Sequence, residues 1–309
     1  MKLFLGVDGG QSSTKALIGD ESGRVLGSGV GGPCNHARAD ESADKLKRGL
    51  VASVTAACDA AGLDPARVSF EAACFGMSGG PHDKKAIIES VLNTRRLIVT
   101  TDAEIALTGA TRTGQGIIVI AGTGSIAFGR NSEGRCVRAG GWGYIFGDEG
   151  GAFDIVRRAL GAALMMEEGW GAATSLREIL LEATGAQDAN DALHRFYTHE
   201  WPRPRVASLA PLVNGAAAAG DEAALGVLTD AAGALVLLVN AVRGQLWDAA
   251  ARVEVAYLGG VFQSELLRAA FIEKLGVGVV CGPPLHGPAE GALLEAYRSA
   301  GLSPAIAGA

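Results

Sequence analysis

The chain has no C-x-x-C pair. Its five cysteines, Cys34, Cys58, Cys74, Cys136 and Cys281, are scattered through 309 residues. That scatter argues against a zinc site, an iron–sulfur cluster and a disulfide framework alike. A cluster of Lys and Arg is also missing, and the net charge is −6. Neither nucleic acid nor an anionic membrane is therefore expected as a main partner. A small anion held by backbone amides and a metal ion stays compatible with this charge. Long apolar runs are absent too. The opening run meets Asp8 too soon for a signal peptide, and the most apolar later run, residues 231–239, is closed by Asn240 and Arg243. The expectation is a cytoplasmic protein. Apolar residues make up 48% and charged residues 19%, which describes a globular chain long enough for two domains.

What the chain has in quantity is glycine, 45 residues clustered in a few places without a period. Residues 117–151 hold the densest group. An apolar run at 117–121 breaks into Gly122-Thr123-Gly124-Ser125, resumes, and turns at Asn131-Ser132-Glu133-Gly134. It ends in a glycine string containing Asp148 and Glu149. Small hydroxyls in a glycine turn between strands offer N–H groups and close backbone approach, as a phosphate requires, although a ligand-free hairpin fits the same pattern. Residues 3–29 echo this segment: strand, Gly9-Gly10-Gln11-Ser12-Ser13-Thr14, strand, Gly-Arg turn, strand. The repeat, roughly 110 residues apart, predicts two domains of like design. In both copies the glycine turn leads into a strand and not a helix. That excludes a dinucleotide-binding βαβ unit, and there is no G-x-x-x-x-G-K-[ST] motif. Two hairpin phosphate loops facing a cleft remain.

Elsewhere, apolar residues three or four apart predict a helix over about 42–61. A strand at 69–75 should end in the loop Gly76-Met77-Ser78-Gly79-Gly80, followed by a short helix at 84–92. A strand at 96–100 carries Thr101-Asp102 at its carboxyl end. Helices are expected at 152–167, across 170–220 with breaks at Pro202 and Pro204, and at 222–247. A strand at 253–258 leads to Gly259-Gly260-Val261-Phe262, then a helix at 264–275, a strand at 277–281 and a last helix at about 289–299. The class is α/β with mixed sheets. The expected domains are 1–115 and 116–288, with the helical tail at about 289–309 packed back on the first.

Carboxylates at strand ends beside glycine loops suggest phosphoryl transfer, which needs neutralised phosphates, aligned reactants and a proton acceptor. Asp8 can hold Mg²⁺, directly or through water, and Asp102 can accept a hydroxyl proton. Asp148 and Glu149 could instead cap the following helix, and Asn35 could be a turn former after Pro33.

The segments around Asp8, Asp102, Gly122, Gly259 and Glu290 resemble the two phosphate motifs, the adenosine motif and the two connecting motifs of the actin-like ATPase superfamily. Gly6-Val7-Asp8-Gly9-Gly10, the Gly-Thr-Gly-Ser loop, Gly140-Gly141-Trp142-Gly143 and Gly147-Asp148-Glu149-Gly150 are similar to the N-acetylglucosamine kinase-like sugar kinases of the benzoyl-CoA reductase activator-type ATPase family. The resemblance implies two ribonuclease H-like domains with a cleft between them, ATP with Mg²⁺, and transfer to a hexosamine, most readily at O6. Asp8 would organise Mg²⁺. Gly9, Gly10, Ser12 and Thr14 would surround the γ-phosphate, and Gly122, Thr123 and Ser125 the β-phosphate side. Gly259, Gly260 and Val261 would back the adenosine. Asp102 would be the base, and Asn35, Gly141, Trp142 and Asp148 would bind the sugar. A homodimer is in keeping with such a family.

Three positions depart from the pattern. Gln11 replaces a third glycine and Ser13 a frequent lysine, which predicts a looser, less positive loop. Ile126 stands where some N-acetylglucosamine kinases have asparagine. The unpaired cysteines set the chain apart from the cluster-bearing activators. A hexose kinase, or a nucleotide-dependent sugar sensor without turnover, is the alternative.

Overall fold

The computed structural model describes residues 1–10, 12–34, 39–79, 84–198 and 200–307. The chain forms two compact units, one of residues 1–115 with 284–309, the other of residues 116–283.

The first unit opens with an antiparallel meander, β1 (Leu3–Gly9), β2 (Thr14–Asp20) and β3 (Val25–Gly31). Helix α1 (Ala39–Ala60), strand β4 (Ala72–Met77), helix α2 (Lys85–Glu89), strand β5 (Leu97–Thr101) and helix α3 (Asp102–Ala110) follow. The sheet order is β3-β2-β1-β4-β5, with β1, β4 and β5 parallel. Side chains alternate across the strands, so both faces of the sheet can be buried. Leu3, Leu5 and Val7 pack with Leu46 and Leu50 of α1 on one face, while Phe4, Leu17 and Cys74 pack with Leu293 and Tyr297 of the C-terminal helix on the other. From Gly27 on, every second residue of β3 is glycine because α1 lies against the strand backbone. A Cβ at Gly27, Gly29 or Gly31 would collide with the carbonyl oxygens of Ala57, Ser53 or Gly49.

Two local expectations change here. Gly76 and Met77, expected in a loop, extend β4 by pairing in register with β1 and β5. Asp102 follows strand β5 directly, as expected, but it also opens a nine-residue helix that was not expected. Thr101 caps that helix: its hydroxyl accepts from Glu104 N (3.2 Å) and Thr101 N donates to the Glu104 carboxylate (3.3 Å). This reciprocal pair is a T-x-x-E capping box that the sequence displays.

The second unit repeats the plan with β6 (Gly116–Ala121), β7 (Ser125–Arg130) and β8 (Cys136–Gly140) as the meander. Helices α4 (Ala152–Glu167), α5 (Leu176–Thr184), α6 (Ala189–Tyr197), α7 (Arg203–Ala207), α8 (Ala210–Ala218) and α9 (Glu222–Leu246) come next. Strand β9 (Val253–Leu258), a 3₁₀ turn (Gly260–Gln263), α10 (Glu265–Leu275) and β10 (Val279–Gly282) complete it. The order β10-β9-β6-β7-β8 mirrors the first sheet, with β6 antiparallel to β7 and parallel to β9. Helix α9 is long and apolar enough to cross a membrane by length and composition, but Val227, Ala231, Leu235, Val239 and Val242 lie in the core of this unit. Pro204 does not break a helix as expected. It sits in the first turn of α7, where a missing N–H costs nothing. The last helix, α11 (Pro288–Ser299), packs on β1, β4 and α3 of the first unit.

Candidate functional site

In the first unit the carboxyl ends of β1, β4 and β5 lie side by side, which brings Asp8, Ser78 and Asp102 together. Ser78, just past β4, donates its N–H to Gly9 O (3.0 Å) and its hydroxyl to Asp102 Oδ2 (2.7 Å). The other carboxylate oxygen of Asp102 accepts from Ala103 N (2.9 Å), so both oxygens are oriented. Lys84, itself buried, donates to Ser78 O and anchors that loop. Across the β1–β2 hairpin, Lys15 pairs in register with Asp8 and forms an ion pair with Glu290 of α11 (2.9 Å). Burial pushes the Asp8 carboxyl up to about 6. The negative charges of Asp102 and Glu290 add to that rise, and Lys15 opposes it. A partly buried carboxylate with like-charged neighbours fits a cation brought in by a phosphate. Among the described residues no group of three or more His, Cys, Asp or Glu could hold a metal alone, so phosphate and water oxygens would complete its shell.

The loop residues divide. Gly9 pairs with Met77, and a Cβ there would press on the Met77 thioether. Gly10 N donates to Ser13 O (3.0 Å), closing the turn, and Ser12 is exposed. Thr14 differs from its expected place by the γ-phosphate. The alternation of β2 turns it inward, where it is fully buried, donates to Gly32 O (2.7 Å) and touches Cys34 Sγ (2.7 Å). Gln11 and Asn35 lie outside the described residues.

In the second unit, Gly122 and Thr123 offer their carbonyls to the first N–H groups of α4: Ala152 N donates to Gly122 O (2.8 Å) and Phe153 N to Thr123 O (3.2 Å). The start of α4 thus abuts the Gly122–Ser125 turn, where the helix dipole favours anions. Beside it opens a cavity of about 660 Å³ whose walls include Gly122, Thr123, Pro204, Asn214, Gly260 and Val261. That size suits a nucleoside. Gly259 turns the chain into the cavity wall with φ 102°, and a Cβ there would collide with Ala121 O. Ser264 caps α10 by accepting from Leu267 N (3.2 Å), and it donates to Asn214 Oδ1 (2.5 Å) at the cavity edge.

Ser125 braces this loop. It is buried, its N–H donates to Asp148 Oδ1 (3.3 Å) and its hydroxyl to Glu149 O (2.6 Å). Asp148, also buried, forms an ion pair with Arg203. Neither Asp148 nor Glu149 caps α4. The acid in the first turn of α4 is Asp154, whose carboxyl is held below the usual range because Gly150 N (3.0 Å), Arg157 (2.5 Å) and Arg158 (2.8 Å) donate to it, against the opposing effect of burial. Trp142 is 65% exposed, with the Arg138 guanidinium 4.8 Å from its ring centroid. Gly141 has φ 72° and packs on Ile126.

Sequence reasoning did not single out Ser78, Lys15 or Arg203. Ser78 lay in plain view inside a glycine loop, and Lys15 is the hairpin partner of Asp8. Arg203 gave no signal, since its partner is 55 positions away.

Residues 5–296 match the model of the BadF/BadG/BcrA/BcrD ATPase family. The chain is 35% identical over 273 residues to the N-acetylmuramic acid/N-acetylglucosamine kinase of Clostridium acetobutylicum, covering 85% of this chain and 87% of that protein. It is 29% identical over 295 residues to the N-acetyl-D-glucosamine kinase of Dictyostelium discoideum, covering 88% and 89%. A crystal structure from Chromobacterium violaceum, provisionally described as an N-acetylglucosamine kinase, matches with TM-score 0.73 and 27% identity over 95% of this chain and 98% of that one.

Proposed function

Because the chain belongs to the BadF/BadG/BcrA/BcrD ATPase family, we propose that it is an ATP- and Mg²⁺-dependent kinase that phosphorylates a hexosamine, N-acetylglucosamine first, at O6. The names of its relatives in Clostridium and Dictyostelium support the substrate class. The observation that carries the reading is Asp102, a carboxylate oriented at both oxygens by Ser78 and Ala103 beside the partly buried Asp8.

In this reading the 660 Å³ cavity holds the adenosine against Gly260 and Val261, and Gly122 and Thr123 approach the phosphates. Asp8 would hold the cation that neutralises them, beside Gly9, Gly10 and Ser12. Asp102 accepts the hydroxyl proton as the sugar oxygen bonds to the γ-phosphorus and the bond to ADP breaks. Asn35, Gly141, Trp142 and Asp148 bind the sugar. Ser125 acts from behind the loop, and Thr14 from the core.

A plain hexose is the second reading. Ile126, packed on Gly141, brings an apolar side chain where an acetamido group would be met by an amide. ADP release across N-acetylglucosamine, glucosamine, glucose and mannose tests both. The account expects N-acetylglucosamine to give the highest kcat/KM. Glucose leading by ~10-fold or more, a full 1.4 kcal/mol of discrimination, would favour the hexose. No sugar-stimulated release at all would overturn the kinase.

A further inference from the structure

Arg203 has no part in the phosphoryl transfer just described, yet it is built into the site. Asp148, its partner, is the one non-glycine residue with a left-handed backbone among the described residues (φ 66°). Such a conformation in an aspartate persists where the surroundings over-determine it, and it concentrates at functional sites. Two groups hold this carboxylate: Ser125 N on the phosphate loop and the Arg203 guanidinium. The guanidinium lies 5.2 Å from the Tyr144 ring centroid and 5.9 Å from that of Phe153, a geometry in which both rings attract it. The pair rests on the backbone of the phosphate loop, since a Cβ on Gly124 would collide with Asp148 and press on Arg203 Nη2. Among the described residues Arg203 Nε is buried without a hydrogen-bond partner, so the side chain gives up one bond to reach this position.

Arg203 is also the first residue of α7, a five-residue helix. Pro204 and Ala207 of the same helix, with Ser208 just after it, line the 660 Å³ cavity. One short element therefore touches both the proposed nucleotide cavity and the aspartate proposed to bind sugar. We propose that Arg203 is a positioning residue that sets Asp148 for the sugar and couples that setting to nucleotide occupancy through α7. This rests on the kinase reading and on Asp148 as a sugar ligand. A nucleotide packed on Pro204 and Ala207 steadies α7, α7 steadies Arg203, and Arg203 holds the buried carboxylate. Coupling of this kind is reciprocal, so bound sugar must tighten nucleotide binding by the factor by which nucleotide tightens sugar. Removing the guanidinium leaves Asp148 buried, strained and without its counter-charge.

The test is calorimetric titration of a non-hydrolysable ATP analogue with and without N-acetylglucosamine, alongside steady-state kinetics. The proteins are wild type, Arg203→Ala, Arg203→Lys and the control Arg205→Ala, whose side chain stacks on Trp201. Wild type should show sugar tightening the analogue by at least ~5-fold, within the usual range of coupling. Arg203→Ala should bind the analogue alone within ~3-fold of wild type but lose the tightening, and its sugar KM should rise ~10- to 100-fold with a smaller change in kcat. Arg203→Lys keeps charge without the planar fork and should fall between the two. It supplies the measurement if the alanine variant does not fold. An active wild type whose tightening and sugar KM survive in the Arg203 variants overturns this inference alone. A wild type without sugar-stimulated turnover and without sugar-dependent nucleotide affinity overturns the kinase reading and this inference together.

Discussion

Asp8 carries an electrostatic cost in the folded chain. Its carboxyl is raised from 3.8 to about 6, chiefly by burial. A carboxyl that is raised in the folded state favours folding most below its unfolded value, and that contribution is lost as pH rises through the folded one. Between pH ~4 and ~6 the ligand-free protein should therefore lose stability from this group, by at most about 3 kcal/mol at 1.36 kcal/mol per pKa unit. Asp8→Asn removes the titration. The variant should melt above wild type at pH 7 without Mg²⁺ and ATP, converge with it near pH 4, and turn over no sugar. A melting difference that stays constant across this window would contradict the assignment. The placement of Asp8 and Asp102 at the carboxyl ends of strands was legible in the sequence, because each directly follows a strand-forming run. Ser78 and Arg203 were not, because the groups they orient lie 24 and 55 positions away and only the fold brings them together.

Among the elements, α9 depends on one aspartate. Asp221 caps it by accepting from Ala224 N (3.0 Å), and it also accepts from Ser175 N (2.6 Å), Ser175 Oγ (2.8 Å) and Thr174 Oγ1 (2.8 Å) at the start of α5. These bonds outweigh the effect of burial and hold its carboxyl down at about 2. Asp221→Ala should cost about 1–2 kcal/mol by loss of the cap, read as a shift in the urea midpoint at pH 7. The penalty should shrink as pH falls below ~4 towards 2, because a depressed carboxyl gives its stabilisation above its unfolded value. Close approach sets β3 in the same way. Gly29→Ala forces a methyl into the Ser53 carbonyl on α1, and overpacking of this kind should cost about 1–3 kcal/mol or more in the same titration. A neutral result would show that α1 can lift off the strand. The long helices α4 and α9 were read at nearly their observed bounds, because apolar residues at helical spacing mark them along their whole length. Helix α3 was missed although Thr101 and Glu104 announce it, since the preceding strand drew attention to Asp102 alone. Pro204 was misread because proline in a first turn starts a helix as readily as proline in the middle ends one.

For the molecule as a whole, the internal repeat carried the most information. The meander at residues 3–29 and its echo after residue 116 became two sheets of matching order, β3-β2-β1-β4-β5 and β8-β7-β6-β9-β10. The strand–glycine–strand pattern was enough to separate this plan from a dinucleotide fold, and the family match over residues 5–296 agrees with it. Which sugar is taken was less legible. The surroundings of Gly141, Trp142 and Asp148, the proposed sugar contacts, are set by Ile126, Arg138 and Arg203 from other elements. The central claim is that this chain transfers a phosphoryl group from ATP to a hexosamine with Asp102 as the base. The most direct measurement is ADP release with N-acetylglucosamine by wild type and Asp102→Asn side by side, with nucleotide binding checked in both. The account predicts sugar-dependent turnover by wild type, a kcat at least ~10²-fold lower in Asp102→Asn, as for a positioned base, and unchanged nucleotide affinity. Near-wild-type turnover in Asp102→Asn would contradict it.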